Sequence, residues 1–207
     1  MVNTKIGNNS SLKYSLRERI LKLLIENKRA WTILEISNEL KCDYKNTFQA
    51  VNKLYPDLIY KSKKGNINLV EIKITPLLEL LNVENKRAKE FLDKHKKINL
   101  VKEDIEILNY PYFIVLLYGS YVKNSNTERS DIDICAISDN KEKSRELISK
   151  FRLLSMPLEI QDFNVKEFES MLDKKENNLA KEIIKNNIIL FGTENYYNLI
   201  SKWMKKE

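Results

Sequence analysis

The stretch FIVLLYGS, residues 113–120, precedes SDIDICAI, residues 130–137, and ten residues separate Ser120 from Asp131. The apolar run before Gly119 is typical of a strand that is buried on both faces. The second stretch predicts another strand, in which residues two apart point to the same side, so Asp131 and Asp133 present their carboxylates together. From residue 112 onward the pattern is strand, loop, strand, helix, strand, helix, helix. We therefore expect an α/β domain built on a small mixed sheet.

The paired aspartates predict a metal and nucleotide site. Two carboxylates held this close repel each other, and the repulsion is hard to explain structurally without a counter-ion. A divalent cation, Mg²⁺ or Mn²⁺, bound through oxygen ligands and the phosphates of a nucleotide would relieve it. Gly119 lets the backbone approach a phosphate closely, and Ser120 with the following amides can donate to phosphate oxygens.

A Gly-Ser pair at the end of a strand, followed after ten residues by Asp-x-Asp on the next strand, resembles the signature of the DNA polymerase beta superfamily. The chain is most similar to the minimal nucleotidyltransferases, including antitoxin partners of HEPN-domain toxins and archaeal proteins that fuse this domain to a winged helix. The resemblance covers about residues 110–200, including IILFGTENYY at 188–197. It implies transfer of a nucleoside monophosphate from an NTP, with ATP expected, to a hydroxyl of a protein or another macromolecule.

The resemblance also implies roles for individual residues. Asp131 and Asp133 would hold the metal, and a third carboxylate on a later strand would complete the site and help activate the attacking hydroxyl. In the next strand candidate, residues 157–163, alternation places Glu159 and Asp162 on opposite faces. Comparison with the family favours Glu159, and Asp162 is the competing candidate. The residues expected to bind the nucleotide are Gly119, Ser120, Lys123 and Ser130.

The turn after Ser120 departs from the family pattern. Many relatives carry Ala-Arg-Gly where this chain has Val122, Lys123 and Asn124. Lysine keeps the charge of arginine but not its fork geometry. Asparagine is frequent among non-glycine residues with a positive φ angle, so we expect the turn to be preserved. Lys123 and Asn124 therefore bear on how the turn binds phosphate, whereas the expected catalytic carboxylates are unaffected.

Basic residues are concentrated in the first third of the chain. Residues 1–75 contain 14 Lys and Arg against 7 Asp and Glu, whereas residues 76–207 contain 22 of each. An excess confined to one segment predicts a polyanionic partner, because neutralising phosphates releases counterions. A lysine-rich surface that serves only solubility would have the same composition.

Residues 1–75 have the pattern of a winged helix-turn-helix domain. Helices are predicted near 15–27, 32–40 and 44–55, with a capping box at Thr32 and a cap at Asp43, followed by hairpin strands near 58–62 and 67–74 with a tip at 63–66. We expect the third helix to lie in the major groove of double-stranded DNA and the hairpin lysines, Lys61 included, to contact phosphates. The DNA-binding residues expected are Tyr44, Lys45, Asn46, Gln49, Lys53, Lys63 and Lys64. Protein contacts or dimerisation are the alternative use of this domain.

The rest of the chain completes the predicted organisation. Residues 76–109 form a helical connector, and residues 110–207 form the nucleotidyltransferase domain with its C-terminal helices. His95, near the end of the long connector helix, is expected to be a solvated surface residue. No apolar window is long enough to span a membrane, the N-terminal stretch lacks the features of a signal peptide, and the two cysteines are isolated. We therefore expect no membrane association and a cytoplasmic location.

Three functions are open at this point. One is an active nucleotidyltransferase that modifies a protein or another macromolecule, for example an HEPN-type toxin whose antitoxin it would be, while the N-terminal domain binds DNA. Another is a DNA-binding transcriptional regulator that uses the nucleotidyltransferase fold as a nucleotide sensor without turnover. The third is a stoichiometric antitoxin that acts by masking a toxin. The sequence does not name the acceptor or fix the oligomeric state, and a homo-oligomer is compatible with it.

Overall fold

A computed structural model describes residues 13–204 and has an α+β architecture with two small sheets. The N-terminal part contains α1 (Leu16–Glu26), β1 (Trp31–Thr32), α2 (Ile33–Glu39), α3 (Tyr44–Leu54), β2 (Ile59–Lys64) and β3 (Ile67–Ile72). Its three strands form an antiparallel sheet with β3 in the middle. Residues 1–12 of the predicted N-terminal domain and residues 205–207 of the predicted nucleotidyltransferase domain lie outside the described residues.

Side-chain caps begin α2 and α3 where the sequence predicts them. The hydroxyl of Thr32 accepts from the backbone N–H of Glu35 at 3.1 Å, and the Glu35 carboxylate accepts from the N–H of Thr32 at 2.7 Å. Asp43 accepts from the N–H of Asn46 at 3.0 Å. These bonds satisfy amide donors that the first turn of a helix cannot pair internally. Both predicted caps are confirmed.

The hairpin of β2 and β3 differs in detail from the prediction. Lys63 and Lys64 belong to β2, where they lie opposite Asn68 and Ile67, rather than to the tip. The turn is at Gly65, whose φ angle of +62° glycine adopts without steric cost. A two-residue loop therefore replaces the longer basic tip that was expected. The sequence gives no sign of β1, because a strand of two residues has no periodicity of its own.

A helical segment joins the two parts of the chain. It consists of α4 (Leu78–Lys94), a 3₁₀ turn (Lys96–Ile98) and α5 (Asn99–Leu108). Ion pairs with N–O distances between 2.5 and 2.6 Å fasten α4 to α1 along its length: Arg17–Glu79, Lys22–Glu90 and Lys86–Glu18. The long helix thus packs beside the first helix rather than standing apart from it.

The C-terminal part surrounds a mixed four-stranded sheet. Its elements are β4 (Ile114–Tyr118), α6 (Gly119–Val122), β5 (Ile132–Ile137), α7 (Lys141–Leu153), β6 (Leu158–Phe163), α8 (Val165–Leu172), α9 (Leu179–Lys185), β7 (Ile188–Phe191) and α10 (Thr193–Met204). The strand order is β6-β5-β4-β7, with β5 and β6 parallel and the other pairs antiparallel. Every residue of β4 is buried, as the apolar run predicts. The small mixed sheet is confirmed.

Helices cover both faces of this sheet. Val115, Leu117 and Ile134 pack with α5, α7 and the end of α4. Leu116 and Cys135 face the other way and pack with α8, α9 and α10, in a cluster that continues into the core of the N-terminal helices. Tyr196 and Tyr197 of α10 are buried in this second cluster. The side of the sheet that carries Cys135 also carries Asp133, two residues earlier on β5.

A buried polar network lies where the two parts of the chain meet. Arg87 and Glu84 of α4 form a buried ion pair. The Arg87 guanidinium also contacts Glu26 of α1 at 3.3 Å and donates to the carbonyl of Asn187, before β7, at 3.3 Å. The hydroxyl of Tyr197 donates to Glu84 at 2.7 Å. One pair of charges therefore joins α1, α4 and the elements around β7.

Among residues 13–204, no helix is both long and apolar enough to span a membrane.

Candidate active site

The turn between β4 and α6 forms one wall of the site. Gly119 has a φ angle of +72°, and a Cβ atom placed on it would lie 1.8 Å from Oδ2 of Asp133. Glycine is required here for two separate reasons, its left-handed backbone and the carboxylate against it. The backbone N–H of Ser120 donates a hydrogen bond to the same carboxylate. The Gly-Ser pair and the second aspartate of Asp-x-Asp are therefore in direct contact.

The parallel pairing of β5 and β6 brings a second carboxylate beside the first. Asp133 and Glu159 are register partners, and side chains of paired residues point to the same face of a sheet. Gln161, on the same face of β6, donates to Glu159 at 3.2 Å. Asp162 instead pairs with Ala136, on the opposite face. The sheet thus brings together Asp133 and Glu159 and separates both from Asp162.

Asp131 precedes β5, which begins at Ile132. Its side chain is exposed, whereas that of Asp133 is half-buried. Its negative charge is nevertheless close enough to Asp133 to disfavour a second charge there. The first aspartate therefore lies at the mouth of the site and the second at its base.

Electrostatics at the base of the site favour a cation. Burial raises the pKa of the Asp133 carboxyl above its ordinary value, the Glu159 carboxylate raises it further, and the Ser120 N–H acts in the opposite direction. Burial likewise raises the pKa of Tyr118, the register partner of Asp133 on β4, with the Asp133 charge as the next cause. Negative charge is therefore in excess around the Asp133 carboxylate.

The oxygen donors at the base of the site bear on the divalent cation that the sequence predicts. Within residues 13–204, no three His, Cys, Asp or Glu side chains are arranged as a metal-binding group. Mg²⁺, however, is usually held by one or two carboxylates together with water and substrate phosphates, rather than by a cage of protein ligands. The half-buried Asp133 and the neighbouring Glu159 offer such a set of oxygen donors. The donor chemistry fits a cation that binds together with a nucleotide.

The turn that follows Ser120 has the expected backbone and an unexpected ion pair. Asn124 has a φ angle of +53°, so asparagine supports the left-handed turn as predicted. Lys123 does not point freely into the site, because its Nζ lies 2.6 Å from Oε1 of Glu182 on α9. The hydroxyl of Ser130 accepts from the backbone N–H of Thr127 at 2.9 Å and closes the loop before Asp131.

Three residues near the site were not singled out by sequence reasoning. Glu182 and Tyr118 reach it only through the fold of α9 and β4. His95 was expected to be solvated, but it is half-buried, with its ring 4.5 Å from that of Phe91 and 5.6 Å from that of Tyr121 in α6. Burial, and then the charge of Lys94, lower the pKa of His95. The end of α4 therefore packs against the helix that carries Gly119 and Ser120.

The residues expected to contact DNA lie on the surface of the N-terminal part. All seven are exposed: Tyr44, Lys45, Asn46, Gln49, Lys53, Lys63 and Lys64. Exposed aromatic rings that sequence reasoning did not select lie among them. Tyr44 stacks on Phe48 of α3 at 6.4 Å, and Lys61 of β2 lies 4.9 Å over the ring of Tyr55. The third helix and the hairpin thus present a mixed basic and aromatic surface.

Comparisons with known proteins agree with this geometry. The family model described as polymerase beta, nucleotidyltransferase matches residues 105–196, which contain the Gly-Ser turn and all three carboxylates. A protein of Methanocaldococcus jannaschii provisionally named a protein adenylyltransferase is 33% identical over 100 residues, covering 46% of this chain and 72% of that protein. No solved structure matches the chain. The chain belongs to the polymerase beta nucleotidyltransferase family.

Proposed function

We propose that this chain transfers a nucleoside monophosphate from an NTP, with ATP as the expected donor, to a hydroxyl group of a protein. The observation that carries the proposal is the contact of Asp133 with the Gly119-Ser120 turn on one side and its pairing with Glu159 on the other. This arrangement supports the proposal because carboxylate oxygens lie beside backbone amides that could donate to phosphate oxygens. The name of the archaeal relative supports a protein as the acceptor.

The proposed reaction balances as a simple displacement. The acceptor hydroxyl oxygen attacks the α-phosphorus of the NTP and forms a new phosphoester bond. The bond from the α-phosphorus to the oxygen that bridges it to the β-phosphorus breaks, and pyrophosphate leaves. The proton of the hydroxyl passes to a carboxylate, for which we propose Glu159, because it is exposed beside Asp133 and open to an acceptor.

Each group of the chain has one task in this scheme. Asp133, with Asp131 at the mouth of the site, would hold a divalent cation. Bound there with the nucleotide, Mg²⁺ or Mn²⁺ would neutralise phosphate charge and polarise the α-phosphate. The amides after Gly119 and the side chain of Ser120 would orient the outer phosphates. The chain itself supplies mainly positioning and a proton acceptor.

Labelled nucleotides test the proposed function. The protein is incubated with Mg²⁺, each of the four NTPs labelled at the α-phosphate, and proteins from cells in which its gene neighbour is co-expressed. We expect label from one NTP, ATP first, to enter a protein band, and no label from the same NTP labelled at the γ-phosphate. An HEPN-type toxin that co-purifies with the chain is the acceptor we propose to examine first. No α-label in any protein under any of the four NTPs would contradict the proposal.

We further propose that the N-terminal part acts as a winged helix-turn-helix that binds double-stranded DNA. The exposed lysines of α3 and β2 and the exposed, mutually stacked rings of Tyr44 and Phe48 support this use. Lysines of the hairpin would contact phosphates, which position a domain without selecting a sequence. The side chains of α3 would contact base edges.

The same surface supports the second candidate function, a regulator that senses nucleotide without turnover. It predicts that affinity for a selected DNA sequence changes with NTP and that this response persists in Asp133→Asn. Fluorescence anisotropy with a DNA sequence selected from a random pool measures both. Absence of any preferred sequence would exclude the regulator. A change of affinity with NTP in the unchanged protein, together with no transfer of label by it, would favour the regulator over the enzyme.

A further inference from the structure

The ion pair between Lys123 and Glu182 occupies the side chain that is expected to hold phosphate. The N–O distance is 2.6 Å, and the two residues come from α6's C-terminal cap and from α9, far apart in sequence. The side chains are 41% and 52% exposed, so water and a ligand can reach both. Exposed pairs of this kind contribute little to stability. A contact so weak is easily exchanged for another anion.

Glu182 also lies within the electric field of the carboxylate site. Its charge contributes to raising the pKa of Asp133 and that of Tyr118. Glu182 is therefore a further negative charge at the edge of the site, and Lys123 is the residue that it neutralises.

A cleft of about 550 Å³ opens beside the ion pair. Lysines line it on several sides, namely Lys123, Lys181 and Lys185, together with the amides of Asn177, Asn178 and Asn186. Glu182 is the one acidic residue among its lining residues, all of which belong to the described part of the chain. Apart from Glu182, the cleft thus has the composition of an anion site.

We propose that Glu182 is a latch that a nucleotide must open: a phosphate group of the incoming NTP replaces the Glu182 carboxylate as the partner of Lys123. The inference rests on the proposed function, because it assigns the displacing anion to the NTP substrate. In the free protein Glu182 holds Lys123 and keeps the cleft from binding small anions. On binding, Lys123 turns from Glu182 to phosphate, and the freed carboxylate returns to water. Glu182 thereby sets affinity for the nucleotide without touching the reacting atoms.

The test is direct binding of a fluorescent, non-hydrolysable ATP analogue to the full chain in the presence of Mg²⁺. Glu182→Gln removes the charge and keeps the shape, and we expect it to bind the analogue about two- to fivefold more tightly, as loss of one exposed ion pair allows. Glu146→Gln is the matched control, because it breaks an exposed lysine pair at 2.8 Å on α7, on the other side of the sheet. This control should bind like the unchanged protein.

A second background separates a latch from a general effect of charge. In Lys123→Gln, Glu182 has no lysine partner to hold. The double variant Lys123→Gln/Glu182→Gln should therefore bind the ATP analogue no more tightly than Lys123→Gln alone. An equal gain with and without Lys123 would overturn the latch, because it would reflect only removal of a negative charge. Unchanged affinity in Glu182→Gln alone would overturn it as well, while leaving the proposed function intact. Failure of the unchanged protein to bind any NTP analogue would overturn both.

Discussion

Removal of Arg87 should destabilise the whole chain, because its guanidinium is the shared partner of several groups at the junction of the two parts. Arg87 is 6% exposed and Glu84 is 2% exposed. In Arg87→Met the Glu84 carboxylate stays buried, with the hydroxyl of Tyr197 at 2.7 Å as its remaining partner. Breaking a buried ion pair by removing one member costs about 3–5 kcal/mol of unfolding free energy. For a chain of this length, that lowers the thermal midpoint by roughly 6–20 °C.

Urea denaturation followed by circular dichroism measures the effect, with two further variants as references. Lys102→Met breaks an exposed pair with Glu106 at 3.7 Å and should change the free energy of unfolding by less than about 0.5 kcal/mol. Replacing Glu84 by Leu together with Arg87 by Met removes both buried charges of the pair and leaves only the more exposed Glu26 and Lys28 without these partners, so it should recover part of the loss. A free energy of unfolding for Arg87→Met within about 1 kcal/mol of that of the unchanged protein would contradict the prediction. It would mean that water solvates the Glu84 carboxylate and that the network does not hold the two parts together.

Three further predictions concern the site and the hairpin. Gly119→Ala would force a Cβ against Asp133 at a φ angle of +72°, so the rate of nucleotidyl transfer should fall by about 100-fold or more. Gly65→Ala is the control: nothing lies within 4 Å of its Cβ, so this variant should keep its activity and lose only about 1 kcal/mol of stability. Equal activity of the two variants would contradict this prediction. The pKa of Asp133 is higher in the folded protein than in the unfolded chain. The folded state therefore loses stability as the pH rises from the ordinary carboxyl pKa through the raised one, because the carboxyl group ionises more easily in the unfolded chain. Asp133→Asn should therefore raise the thermal midpoint at pH 7 relative to the unchanged protein, with the gain disappearing near pH 3; a loss at pH 7 would show that the carboxylate is stabilised instead. Lys63→Ala and Lys64→Ala should each weaken DNA binding to a similar extent for all sequences. Each should also reduce the slope of log affinity against log salt concentration by about one, as measured by fluorescence anisotropy at several salt concentrations. An unchanged slope would show that the hairpin lysines do not contact DNA.

Local chemistry explains which features could be predicted from the sequence. The cap at Thr32 and the turn at Asn124 depend on a few neighbouring residues, and both lie where the sequence places them. The contact of Gly119 with Asp133 follows from the short segment between β4 and β5, which pair with each other so that Tyr118, the residue before Gly119, lies opposite Asp133. The burial of the run before Gly119 follows from its composition alone.

Features that depend on distant parts of the chain could not be predicted with the same certainty. Glu159 and Asp162 differ only in the face of β6 they occupy, and the parallel register with β5 decides that. The partner of Lys123 is 59 residues away on α9, and only tertiary packing brings Glu182 to it. His95 has no polar group beside it in sequence, yet the packing of α4 on α6 half-buries its ring. In each case the deciding contact joins elements that are remote along the chain.

We propose that Asp133 and Glu159 together form the site of nucleotidyl transfer. The most direct measurement is the rate at which α-labelled ATP is incorporated into protein by the unchanged chain, by Asp133→Asn and by Asp162→Asn. Asp162 lies on the opposite face of the same sheet, so its variant carries the same chemical change outside the site. We predict that Asp133→Asn loses transfer while Asp162→Asn retains it. Transfer that survives in Asp133→Asn, or that is lost equally in both variants, would contradict the account.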